Sequence, residues 1–442
     1  MPKIRFATLG LIAAALVTMS LPAGAGHTTD PRTKNMHPKG HIVEPASLLN
    51  PAVANPDIHT DIAFWGNLAF QGNWDGFNIR DISDPDNPTQ VSRTFCNGDQ
   101  GDIVVWEDVL VRSWNTNTGM AGSTCDGDPV APGFEGLHVF DISDLSNPEL
   151  VGSVDLACGS HTATAVPDTA NDRLLVYSSS SAGGVCDFID IVEVPLDDPG
   201  DASLLRTEPS MHTCHDIGVI LGDVMRAACA GGTGVRVFSL GGPSGGTLED
   251  PELLFHFDEP GVTIGHSAAW TWDGEVIIFG HEPGGGVADQ CKASDPVINR
   301  SLFFYDGDTG AKLGMWTLPR PQSDAENCTI HNYNVVPLRS GRYVLVHGSY
   351  QSGTSVVDFT DRANAVELGY SDPPPIPVTF ATPFCQPPGC ELGGVWSSYW
   401  YNNFIYETNI TEGLNIFRFS GNETAGAMRV PHLNPQTQEF SL

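Results

Sequence analysis

Residues 211 to 216 read Met-His-Thr-Cys-His-Asp, which places His212, Cys214, His215 and Asp216 within five positions. Imidazole, thiolate and carboxylate at such spacing are the side chains that bind transition metals. Three chemistries compete for the cluster. Covalent haem attachment needs C-x-x-C-H, and Met211 stands where the first cysteine would be. A cysteine-based zinc site competes with a disulfide, because Cys229 follows Cys214 across a single apolar hairpin. The third reading is that His215 marks a position the chain repeats.

The third reading extends furthest. The residues just ahead of successive apolar hairpins are Gly159-Ser160-His161, Cys214-His215-Asp216, Gly265-His266-Ser267 and Ile330-His331-Asn332. Four consecutive copies therefore carry a histidine at one place. The first copy is shifted by one (His59-Thr60-Asp61), the second has Gln100-Gly101-Asp102, and the last has Trp396. If the hairpins lie around an axis, His161, His215, His266 and His331 converge as neutral nitrogen ligands for a divalent transition metal. Carboxylates behind them would orient the rings. Secondary candidates at the ends of the hairpins are His59, His281, Glu282 and His347, with Gln71 and Glu407 near them. The competing reading is that inner-strand histidines hydrogen-bond neighbouring units and channel water, which needs no metal. His212 is expected as a loop or outer partner, and His138 and His256 away from the axis. His27, His37 and His41 fall in a leader.

Other motifs are absent from the sequence. It has no G-x-S-x-G and no H-E-x-x-H, and the glycines of HEPGGGVADQ (281–290) lack the Lys-Ser/Thr of a phosphate cradle. The acidic turns CDGDP (125–129) and DGDTG (306–310) do not match the twelve-residue calcium loop. No carboxylate pair stands out for glycoside hydrolysis.

The elements that would position these histidines repeat. One half of the unit is an apolar hairpin, as in DIAFWGNLAFQG (61–72), DIVVWEDVLVRSW (102–114), DIGVILGDVMRAAC (216–229) and SAAWTWDGEVIIFG (267–280). Its turns use Gly66-Asn67, Gly222-Asp223, Asp273-Gly274 and Asn402-Asn403, residues that tolerate positive φ. The other half is a strand running into an acidic turn and a last short strand, as in GFNIRDISDPDNPTQV from Gly76 and GLHVFDISDLSNPELVG from Gly136. Four strands per unit, seven units, at intervals of roughly 45 to 65 residues, predict an all-β fold: a seven-bladed β-propeller of four-stranded antiparallel blades. Two stacked β-sandwiches would not give one strand order seven times over.

The first residues predict export. Lys3 and Arg5 precede the apolar stretch FATLGLIAAALVTMSL, and Ala23-Gly24-Ala25 follows as a cleavage site. No apolar run is long enough for a membrane span, so the mature chain is expected to be secreted, periplasmic or at the cell surface. Ten cysteines in an oxidising compartment favour disulfides. Pairing neighbours gives Cys96–Cys125, Cys158–Cys186, Cys214–Cys229, Cys291–Cys328 and Cys385–Cys390, one connectivity among many that the sequence allows. With Lys3 and Arg5 removed, 19 basic residues face 53 acidic ones, a net charge of −34. Such a surface repels nucleic acid and anionic lipid, which depend on cationic contacts. The expected partner is a small-molecule or protein ligand, and the expected state a monomer.

The segment GLHVFDISDLSNPELVG, with an apolar hairpin ahead of it, resembles the LVIVD-repeat proteins, secreted bacterial β-propellers. That resemblance implies fold and export, and it carries over no catalytic residues. The sequence divides into a signal (1–25), a leader (26–56), seven blades (57–95, 99–155, 158–207, 210–258, 261–319, 326–371 and 391–433) and a tail (434–442). Either the segment 41–49 or the residues after Gly421 would close the last blade. Two functions follow. One is a binding or scaffold module with a His-lined polar channel mouth. The alternative is a metal-dependent enzyme, oxidase, oxygenase or hydrolase, with its metal on the axis and the 281–298 loop as its gate.

Overall fold

The computed structural model describes residues 30–44, 58–98, 100–114, 123–180, 186–287, 290–323, 326–374 and 393–442. Among them there is no α-helix, and the strands form seven antiparallel blades. The first blade is His59–Trp65, Leu68–Asn73, Gly76–Asp81 and Thr89–Phe95, and each later blade repeats that order. The first strands touch one another in a closed circuit, from blade one through blade seven and back. They therefore line the axis, and the propeller read from the repeat is borne out.

Burial follows from that arrangement. The first and second strands lie between neighbouring blades and are covered on both faces, so Val395–Tyr401 of blade seven and Val344–Gly348 of blade six are buried throughout. This is why they read as unbroken apolar runs rather than alternating ones. Fourth strands face solvent, and Ser203–Glu208 is exposed until its last residue. In blades one to six the fourth strand carries one extra residue against the third, and the added residues are Val91, Val151, Leu205, Leu254, Leu313 and Leu368. Such a bulge deepens the local twist, and here each one falls on an aliphatic side chain. Gly76 and Gly136 open their third strands at φ 147° and 143°. A Cβ at either would stand about 2 Å from a fourth-strand carbonyl, 1.9 Å from that of Thr94 and 2.1 Å from that of Val154.

Both ends of the chain take part in the ring. Met36–Val43 pairs antiparallel with Gly413–Phe419 and supplies the outermost strand of blade seven. Of the segment 41–49, His41, Ile42 and Val43 belong to that strand, and residues 45–49 lie outside the described residues. The C-terminal residues instead cross the axis. His432–Leu433 pairs with the inner strand of blade one, and Thr437–Gln438 runs parallel to that of blade four. Asn434 gives and takes a hydrogen bond with the backbone of Val105 in blade two, at 2.8 Å each. Thr437 bonds the carbonyl of Ala165 at 2.6 Å and Gln438 that of Trp270, also at 2.6 Å. The His432 ring stacks on Trp65 at 4.2 Å. These contacts lie toward the last residues of the inner strands, so the tail floors the channel there.

Four disulfides join neighbouring cysteines: Cys96–Cys125, Cys158–Cys186, Cys214–Cys229 and Cys291–Cys328. Cys385, Cys390 and the signal segment lie outside the described residues. Four such bridges are consistent with an extracellular location. No helix among the described residues is long and apolar enough to cross a membrane.

Candidate metal centre at the channel mouth

His161, His215, His266 and His331 come together at the entry to four successive inner strands, His266 within its strand and the others one or two residues ahead of theirs, opposite the tail. Adjacent rings touch along the arc, with centroids 4.5, 4.1 and 4.4 Å apart. His161, His266 and His331 are buried, and His215 is half-buried, with 18% of its side chain exposed. The backbone sets this geometry. His161 N–H donates to Ser179 O, His215 N–H to Ala230 O and His331 N–H to Gly348 O, so the backbone of each of these three is fixed to the second strand of its own blade.

The two nitrogens of these rings have different surroundings. His215 Nδ1 lies 2.9 Å from Asp216 Oδ1, and His331 Nδ1 lies 2.8 Å from the carbonyl of Trp396. An Nδ1 facing an acceptor carries the proton, which leaves Nε2 with its lone pair. The Nε2 atoms of His161 and His215 are 2.9 Å apart. Those of His266 and His331 stand 3.7 and 3.6 Å from the two oxygens of Glu282. The ligand atoms of His215, Asp216 and His266 all lie within 4.8 Å of one another, and so do those of His266, Glu282 and His331. His266 Nδ1 is buried without a hydrogen bond and faces Asp216 Oδ2 at 3.8 Å.

Burial keeps the imidazoles neutral. It pushes His215 down to about 4 and His331 to about 3, and holds His161 and His266 well below the usual histidine value. The same desolvation raises Glu282 to about 8 and Asp216 well above the carboxylate range. Tyr350 donates its hydroxyl to Glu282 at 2.7 Å. Neutral nitrogens beside desolvated carboxylates are a donor set for a divalent transition metal: the ion needs lone pairs, and its charge would satisfy carboxylates that have none nearby.

The remaining candidates do not join the arc. His59 is fully buried beside Glu44 and the arginines Arg80 and Arg93. The place aligned with the four histidines is held in blade one by Thr60, which bonds Gly101 O. His281 lies 3.3 Å from Thr263, and His347 bonds Ser349 Oγ and packs on Trp316. Gln71 accepts from Arg80, and Glu407 accepts from Thr354 and Asn415. His212 sits half-exposed, 3.6 Å from Asp187. His138 lies near Cys96 and Cys125, but those sulfurs are already bonded to each other.

Sequence reasoning passed over the residue after each histidine. Thr162 bonds His215 O, Ser267 bonds His331 O, and the Asp216 N–H donates to His266 O, so each ties its blade to the next. The same belt continues with Asn332, Ser397, Asp61 and Asp102. Asp61 collects Ser397, Tyr399 and Gln436 of the tail. The alignment that located the histidines, read one position further, contains this belt.

The fold is thus a β-propeller with a polar, His-lined mouth and a floored channel. The LVIVD repeat model matches residues 59–94 and 130–156, which cover blade one and the outer half of blade two. These two matches are consistent with the LVIVD-repeat resemblance of the sequence, and a propeller with such repeats supports a binding or scaffold module. No curated protein matches the chain. Among solved structures, a chain of the "Crystal Structure of Mitotic Checkpoint Complex" is similar at 10% identity, covering 95% of this chain and 99% of its own with a TM-score of 0.48. A likeness of that size bears on nothing further here.

Proposed function

We propose that this protein is an exported binding propeller whose channel mouth holds a divalent transition metal on Nε2 of His161, His215, His266 and His331. One observation carries the reading. Four imidazoles from successive blades sit in ring-to-ring contact, and the Nδ1 atoms of His215 and His331 already face acceptors. Their Nε2 lone pairs then face the other rings, where His215 Nε2 meets His161 Nε2 at 2.9 Å and a common ion would replace the proton between them. Blade-to-blade hydrogen bonding accounts for the His161–His215 and His331–Trp396 contacts, but it leaves His266 Nδ1 buried without a partner at the centre of the arc.

A metal-dependent enzyme is the second reading, and the Glu282–Tyr350 pair favours it. A carboxyl held near 8 beside two imidazoles can keep and release a proton at neutral pH. Elemental mass spectrometry on oxidised, exported protein, with a His215→Ala/His266→Ala double variant, tests the shared premise. Near-stoichiometric metal in the wild type and none in the variant is expected. Equal and negligible metal in both, after loading with zinc, copper and iron, returns the histidines to hydrogen bonding.

A further inference from the structure

Resting on that metal reading, we propose that Asp216 is the positioning residue of the site: its two carboxylate oxygens take the Nδ1–H groups of His215 and His266 and hold both Nε2 atoms toward the ion. The geometry is specific to this carboxylate. Oδ1 is 2.9 Å from His215 Nδ1 and Oδ2 is 3.8 Å from His266 Nδ1, a nitrogen that is buried and has no hydrogen bond. The second distance closes to a hydrogen bond when the His266 ring settles on an ion.

The backbone of Asp216 is itself fixed. Its N–H donates to His266 O at 3.0 Å, and its carbonyl accepts from Ala230 N–H at 3.0 Å. The first of these bonds crosses to blade five, so one residue sets the spacing of two ligands from two blades. The Cys214–Cys229 disulfide ties the hairpin beside it. A carboxylate behind a ligating imidazole fixes the tautomer and strengthens the ligand, and its loss typically weakens metal binding 10- to 100-fold. Here a single carboxylate would serve two imidazoles at once.

This arrangement makes asparagine an informative substitution. An amide offers one acceptor and one donor where two Nδ1–H groups need two acceptors. One imidazole must then move its proton to Nε2 and leave the ligand set.

Co(II) is the probe. Wild type, Asp216→Asn, Asp216→Glu and Ser267→Ala are titrated against a chelator of known affinity, and the visible d–d spectrum of each loaded protein is recorded. Asp216→Asn is expected to bind Co(II) about 10- to 100-fold more weakly, with a shifted spectrum. Asp216→Glu should recover part of both. Ser267→Ala removes a belt hydroxyl that touches no ring nitrogen, and should stay within about twofold of wild type. Wild-type affinity and spectrum in Asp216→Asn would overturn the role of Asp216 while leaving the metal reading standing. A wild type that binds no Co(II) overturns both. Should Asp216→Asn fail to fold, long-range 1H–15N spectra of the zinc-loaded wild type decide. Nδ1–H tautomers for His215 and His266 are expected, and an Nε2–H tautomer at either one overturns the proposal.

Discussion

Outside the arc, four further imidazoles are sealed in the blades: His59, His138, His281 and His347. Burial pushes His138 and His347 down to about 3 and His59 to about 4. The unfolded chain, with histidines near 6.5, therefore takes up protons first as the pH falls. The stability these groups contribute is complete above about pH 6.5 and is lost on acidification toward their folded values. Glu282 opposes the trend, because its raised value favours the fold on the acid side of about 8. A single variant separates the two effects. Between pH 6.5 and 5 one such histidine accounts for about 2 kcal/mol. A His138→Gln protein should therefore lose less of its denaturation midpoint over that interval than wild type, and an equal loss would show that His138 titrates normally. Asp61 supports a second prediction at this scale. It accepts from Ser397 at 2.7 Å, Tyr399 at 3.0 Å, Gln436 at 3.2 Å and the Ile62 N–H at 2.9 Å. Asp61→Ala strands these buried donors together and should cost on the order of 3 kcal/mol in urea unfolding. The four mouth histidines were legible because inner strands begin alike. His59 was drawn toward them by a near-alignment, yet a one-residue offset turns a strand side chain to the other face, and there it meets Glu44 and Arg80.

Strands whose partners are close in sequence were the legible ones. Apolar hairpins and Asp-rich turns declare themselves within about a dozen residues, and the aliphatic residue after each acidic turn proved to be the bulge of the fourth strand. The two ends of the chain were not legible in the same way, since their partners lie far along it and no local pattern specifies them. Met36–Val43 reaches Gly413–Phe419, and Thr437–Gln438 reaches the inner strand of blade four. The two ends should therefore fail differently. Removing residues 432–442 uncovers the channel floor, loses the Asn434, Thr437 and Gln438 hydrogen bonds, and gives up Leu433, 4% exposed in the fold. The ring itself stays closed, so the truncated chain should unfold in one cooperative step, with stability lower by about 3 to 5 kcal/mol. Deleting residues through Glu44 instead strips blade seven of its outer strand and exposes the edge of Gly413–Phe419. It also removes the carboxylate that pairs with the buried Arg80 and with Arg93. That protein should show a broadened transition or aggregate, and a sharp wild-type-like transition would show that the ring does not depend on the strand.

Charge acts on the molecule as a whole. The chain carries 53 acidic against 21 basic residues, a formal −32 at neutral pH. Two effects of salt compete. Screening weakens attractive surface pairs such as Lys39–Asp86 and Arg206–Asp250, at 3.0 and 2.8 Å, and would lower stability. Exposed pairs of this kind are each worth about 0 to 1 kcal/mol, and the supply of cations limits their number. Screening also relieves repulsion among the surplus carboxylates, which is spread over the whole surface and released when the chain expands. At an ionic strength of about 0.01 M charges interact over about 30 Å, a large part of the width of a domain, and at about 1 M over about 3 Å. The surplus of acids decides which effect prevails. Repulsion among so many like charges at long range exceeds the loss from a few short-range pairs. The thermal midpoint should therefore rise steadily as sodium chloride increases from about 0.01 to 0.5 M, and potassium chloride should give the same curve because the effect is one of screening. A flat or falling curve would mean that the acidic groups are already neutralised in the fold by paired cations or protons. A rise with one cation alone would point to specific binding in place of screening.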